Sequence, residues 1–152
     1  MKINKFIICL ACLLLFNSIS GLANDPVKWT FKSVKVSSNT FEIHFIAKMN
    51  STWHIYSQES SKTISSPTTI IINKNDRIQT GNIREVGKLV SKYEELFDET
   101  IKYYCDSVVF IQNIRVLGST PVIVKGDVTY SACSGEQCLP PKPIGFSLVL
   151  KN

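Results

Sequence analysis

The sequence predicts an all-β domain built as an antiparallel β-sandwich. Two observations carry that expectation. About seven short runs rich in β-branched and aromatic residues recur along the chain, with turn residues every ten positions or so. No stretch carries a convincing apolar stripe at the 3.6-residue helical period.

The elements follow in order. Residues 27–36 form the first expected strand, with Trp29 and Phe31 on one side. Residues 40–49 (TFEIHFIAKM) alternate: Phe41, Ile43, Phe45, Ala47 and Met49 point one way, and Glu42, His44 and Lys48 the other. Period two with one polar face is the signature of a half-buried strand. Residues 53–56 and 68–72 are shorter candidates, separated by a Ser-rich segment at 57–67. The best helical fragment is 91–98 (SKYEELFD), only two turns long. Residues 107–117 and 122–132 read as long strands joined by the turn Gly118-Ser119-Thr120-Pro121, and 144–150 (IGFSLVL) closes the chain.

Residues 1–23 stand apart from this domain. Lys2 and Lys5 precede an apolar run at 6–16, and Gly21-Leu22-Ala23 supplies small residues for cleavage after Ala23. That is the layout of a secretory signal peptide. The run is short for a membrane span, which needs about 20 apolar residues; an uncleaved anchor is the weaker alternative. A lipoprotein reading of Cys12 fits less well, because the preceding Leu10 sits one place late. The expected organisation is therefore a signal peptide at 1–23 and one domain at 24–152, located in the periplasm or otherwise exported.

Without residues 1–23 the charged side chains number 15 basic and 12 acidic, a net charge of +3. The basic residues are scattered singly, unlike the clustered stripe that nucleic-acid binding requires. A chain of this length buries a core without covalent staples, so its cysteines need another explanation. Cys9 and Cys12 lie in the signal segment, leaving Cys105, Cys133 and Cys138. Export places these where disulfides form and persist.

The informative segment is 129–143 (TYSACSGEQCLPPKP). Cys133 ends a strand, and four turn-forming residues bring Cys138 within bonding reach. Pro140 and Pro141 cannot donate backbone hydrogen bonds, so they belong at a sheet edge or outside it. Spacing alone leaves two readings open. One is a redox pair; the other is an inert structural bridge in an exported binding or adaptor module. So short a ring constrains the unfolded chain by only about 2 kcal/mol, which is little for a bridge kept for stability. Metal binding is disfavoured, since Cys-x4-Cys without a second close ligand pair is a weak zinc signature and His44 lies on a polar strand face. No helix N-terminus or basic cluster adjoins the pair in sequence, and Glu136 opposes thiolate formation. A mild pair that depends on docking is expected.

At these residues the sequence resembles the DsbD N-terminal (alpha) domain family. The resemblance rests on Tyr130-Ser131-Ala132-Cys133 followed by Cys138-Leu139-Pro140-Pro141. It extends to Trp53-His54-Ile55-Tyr56, similar to the family's aromatic strand, and to Glu95-Leu96-Phe97-Asp98 ahead of Tyr103-Tyr104, similar to its cap loop. It implies an immunoglobulin-like fold with the cysteine pair at one end. It also implies that Phe97, in a cap containing Glu95, shields the disulfide, and that Tyr56 lines the pocket. His54 falls where the family can have a tyrosine. By the same resemblance Cys138 forms the mixed disulfide and Cys133 resolves it. Two departures stand out: the loop has four intervening residues where some members have five, and Cys105 has no place in the motif and is expected to be a buried strand-end thiol.

The function so implied is extracytoplasmic thiol–disulfide interchange, of the protein-disulfide reductase type. No metal and no small-molecule cofactor is called for. Implied partners are thioredoxin-like proteins, such as disulfide isomerases and cytochrome c maturation thioredoxins, and a separate membrane thiol–disulfide electron carrier.

Overall fold

The computed structural model describes residues 25–135 and 137–151. The expected signal segment, its cleavage position near Ala23, Cys9, Cys12 and Glu136 lie outside the described residues.

Nine strands are present among the described residues, and no helix. They are β1 (Val27–Lys35), β2 (Thr40–Met49), β3 (His54–Tyr56), β4 (Thr69–Ile72), β5 (Ile78–Glu94), β6 (Glu99–Val116), β7 (Val122–Tyr130), β8 (Ala132–Cys133) and β9 (Lys142–Leu150). All pairings are antiparallel. The first sheet runs β1-β2-β6-β3-β8, with β5 along the other side of β6; the second runs β4-β7-β9. The expected all-β sandwich is what forms.

The alternation read along β2 is the alternation observed. Phe41, Ile43, Phe45 and Ala47 are buried against the second sheet, which contributes Val122, Val124, Val128 and Tyr130 from β7. Aromatic rings join the layers: Phe45 meets Phe146 of β9 edge-on at 4.9 Å, and Trp29 meets Tyr130 at 5.3 Å. Fully buried side chains such as Phe41 and Phe45 each contribute about 1.5–3 kcal/mol. Gly126 marks the tightest approach of β4 to β7, where a Cβ would lie 2.1 Å from the Ile71 carbonyl oxygen.

Strand β6 decides where the site sits. Its second half, Ser107 to Arg115, pairs with β2, whereas Tyr103 to Cys105 pair with β3. Asp106 lies between these stretches with φ of 63°, and Thr52 turns the chain between β2 and β3 with φ of 72°. The edge beside β6 is thus handed from β2 to β3, and β8 adds on beyond β3.

Three expectations are corrected. Residues 91–98 are not helical: 91–94 complete β5, and 95–98 turn into β6. An isolated two-turn helix is below the length that nucleation supports, whereas pairing Ser91 with Lys102 and Glu94 with Glu99 satisfies the backbone. Secondly, strand β5 and the first half of β6 are elements that the apolar pattern missed. Thirdly, Cys105 is exposed and lies within β6, not buried at a strand end. Pro140 and Pro141 fall between strands as expected, with β9 starting at Lys142.

Candidate functional site

Cys133 and Cys138 are joined by a disulfide. The local fold is a tight hairpin. Cys133 and Cys138 form an antiparallel bridge, the Leu139 N–H donates to the Ala132 carbonyl at 2.8 Å, and the Ser134 N–H donates to the Gln137 carbonyl at 2.8 Å. The Ser131 hydroxyl donates to the Leu139 carbonyl at 2.6 Å, which fastens the returning chain. The two cysteines differ in exposure. Cys133 is 1 % exposed, while Cys138 is exposed.

Register explains which side chains surround the pair. Ile55 is paired with Tyr104 and Ala132, and all three are buried in the core. Strand alternation then sends His54 and Tyr56 to the opposite face. There His54 is flanked by Cys105 on β6 and Cys133 on β8, and Tyr56 by Tyr103. The His54 ring lies 4.6 Å from Tyr103 and 5.5 Å, edge-on, from Tyr56. Burial pushes the His54 pKa down; burial, then the nearby Glu94 carboxylate and Tyr103, push Tyr56 up. Burial, followed by Asp106, also raises the Cys105 thiol.

A cavity of about 450 Å³ opens beside the disulfide, lined by both cysteines, Tyr56, Ser131 and residues 62–66. That last wall comes from the Ser-rich segment, whose placement sequence reasoning missed. Its serines act as anchors. Ser57 and Ser60 are buried; the Ser60 hydroxyl accepts from the Lys102 N–H at 3.0 Å and from the Ser65 hydroxyl at 2.9 Å. Glu85 of β5 accepts from the Ser57 hydroxyl at 2.7 Å, the Gln58 N–H at 2.8 Å and the Tyr104 hydroxyl at 2.8 Å. At the far end the Thr68 hydroxyl donates to the Tyr56 carbonyl at 2.6 Å. So pinned, the segment behaves as a wall of the site and not as a linker.

Of the residues singled out in the sequence, Cys133, Cys138, His54 and Tyr56 are brought together. Glu95 and Phe97 occupy the β5–β6 turn; Phe97 is 56 % exposed and is not among the residues lining the cavity beside the disulfide. The arm leading to that turn does approach the site, since Glu94 acts on Tyr56 and pairs with Lys92 at 2.7 Å. A larger cavity of about 900 Å³ lies between β5 and β4, but its buried-side carboxylate, Glu85, is already taken up by the three donors above. The two cysteines line the smaller cavity.

No family model and no curated protein matches the chain. Solved structures do. The N-terminal periplasmic domain of ScsB from Proteus mirabilis superimposes with a TM-score of 0.58 at 17 % identity, over 84 % of this chain and 47 % of that one. This chain therefore spans about half the length of that structure. The DsbD N-terminal domain of Neisseria meningitidis, in its reduced form, superimposes with a TM-score of 0.52 at 15 % identity, over 80 % of this chain and 86 % of that one. The chain thus has the immunoglobulin-like fold of the ScsB and DsbD N-terminal periplasmic domains.

Proposed function

We propose that the protein is an extracytoplasmic thiol–disulfide interchange domain that passes electrons through Cys133 and Cys138 to oxidised partner proteins. The observation that carries this reading is the asymmetry of the pair: both cysteines line one cavity, but Cys138 is exposed and Cys133 is buried. A bridge of that form offers one sulfur to an incoming partner and keeps the other for resolution. The shared fold adds support, because the Neisseria domain is described in a reduced form and the ScsB domain as periplasmic.

The steps conserve electrons. The Cys138 thiolate attacks a partner disulfide, forming a mixed disulfide and releasing one partner thiolate. Cys133, losing its proton, then attacks the Cys138 sulfur; the second partner thiolate leaves and takes up a proton. The partner gains two electrons, and the Cys133–Cys138 bond re-forms. In this reading the partners are thioredoxin-like proteins, and a membrane thiol–disulfide carrier restores the dithiol. Residues 1–23 direct export.

A measured reduction potential tests the proposal. A value of about −180 to −270 mV is that of an exchanging pair, while one below about −300 mV is that of an inert structural bridge. In cells, a Cys133→Ser variant is expected to accumulate mixed disulfides that need Cys138. A strongly reducing potential with no trapped partner would sink the reading in favour of a binding module with a structural disulfide.

A further inference from the structure

The sequence places no basic cluster beside the cysteines, yet the fold brings one cation to them. Lys62 lines the cavity that holds both sulfurs, and no other charged side chain lines it among the described residues. Other lysines of this region have partners: Lys102 pairs with Glu59 at 2.9 Å, Lys92 with Glu94 at 2.7 Å, and Lys142 with Asp25. Lys62 pairs with no carboxylate among the described residues. Its backbone is held in place on both sides, by buried Ser60 before it and by the Ser65 hydroxyl bonded to Ser60 after it.

We infer that Lys62 stabilises the thiolate of Cys138 and so sets the reactivity of the reduced pair, an inference that rests on the exchange function proposed above. A thiolate is the nucleophile in exchange, and its population at neutral pH depends on nearby positive charge. When the Cys138 S–H bond gives up its proton to water, the new charge forms at a cavity whose wall includes Lys62. The other titratable groups around the pair supply no such cation. On β3 they are His54, neutral when deprotonated, and Tyr56; on β6 they are Tyr103 and Cys105. The hairpin arm offers Glu94 with Lys92 paired to it. Glu136 lies within the cysteine loop in sequence and outside the described residues. Because Lys62 is exposed, its effect is partly screened by water and falls with salt.

The test uses the reduced chain 24–152 carrying Cys105→Ser, with iodoacetamide alkylation of Cys138 followed by peptide mass spectrometry across pH. Lys62→Gln is expected to raise the apparent pKa of Cys138 by roughly half to one unit and to slow its alkylation at pH 7 by about 3- to 10-fold. Lys62→Arg should restore the parent profile, and about 1 M salt should close the gap between parent and Lys62→Gln. An unchanged profile in Lys62→Gln overturns the inference. So does a shift that persists undiminished at high salt, since that marks a conformational cause. Failure of the exchange function is read separately, from the reduction potential and the Cys133→Ser trap measured on the chain that keeps Lys62.

Discussion

His54 and Cys133 are cross-strand partners in the β3–β8 pairing, so an imidazole lies next to the buried sulfur of the disulfide. Directly opposed residues have Cβ atoms about 4.5–5.5 Å apart. The ring also packs on Tyr103 and Tyr56, and this burial lowers its pKa from 6.5. The unfolded chain therefore binds the His54 proton at a higher pH than the folded one. That contribution to stability is complete above the unfolded value and is lost as pH falls through it towards the folded value. Urea midpoints measured on the oxidised chain from pH 7.5 to pH 5 should decline with falling pH. His54→Gln should flatten the part of that decline that lies around and below pH 6.5. An unchanged slope would mean that the ring charges in place without penalty.

Cys105 is the free thiol among the described residues, exposed on β6 and opposite His54. Two strand spacings separate it from Cys133, about 9–11 Å between Cα atoms, which is beyond the roughly 7 Å that a disulfide tolerates. It should not scramble with the pair. Mass spectrometry of the oxidised chain 24–152 after iodoacetamide should show one adduct, at Cys105. Labelling should be slow at pH 7, because partial burial of this exposed residue and then Asp106 raise the thiol pKa. Cys105→Ser should change stability by no more than about 0.5 kcal/mol, as expected for an exposed substitution.

Gly126 offers a sharper stability test, because its requirement is space and not φ. A methyl group there meets the Ile71 carbonyl oxygen at 2.1 Å and the Phe146 ring at 2.9 Å. Backbone on one side and a core ring on the other leave little room for relief. Gly126→Ala should cost about 2–3 kcal/mol or more, read as a lowered urea midpoint at unchanged m-value. A neutral result would show that β4 can move off β7.

The residues that were legible in the sequence are those whose environment is set locally. β2 declared itself because one face meets the core and the other meets water, so its alternation is a direct copy of its burial. The cysteine hairpin did too, through its turn residues and the prolines after it. β5 did not, since most of its residues are exposed on an edge strand and its apolar residues, such as Ile83 and Leu89, keep no period. The helical reading of 91–98 followed from residue preference, which strand pairing overrode. Lys62 was illegible for another reason. It is 71 residues before Cys133 in sequence, and only the anchoring of the serine segment to Glu85 and Lys102 brings it to the sulfurs. The exposures of Cys133 and Cys138 likewise depend on packing that the motif does not encode.

That anchoring makes Glu85 the residue through which β5 controls the site. One carboxylate accepts from the Ser57 hydroxyl, the Gln58 N–H and the Tyr104 hydroxyl, tying the serine segment to β6. Removing it strands a buried serine, a backbone donor and a buried tyrosine at once. Its carboxamide counterpart keeps one good acceptor and places an NH2 against a donor. Glu85→Ala should therefore cost about 2–3 kcal/mol, and Glu85→Gln about half of that. Global loss is only part of the expectation. Amide hydrogen exchange should accelerate at 57–66 in Glu85→Ala well beyond the change in β2 or β7, because opening the segment no longer breaks charged hydrogen bonds. With the wall loosened, Lys62 samples positions away from the sulfurs, so alkylation of reduced Cys138 should slow at pH 7 in the same variant. Faster exchange at 57–66 with an unchanged Cys138 rate would separate the anchoring of the wall from the chemistry of the pair.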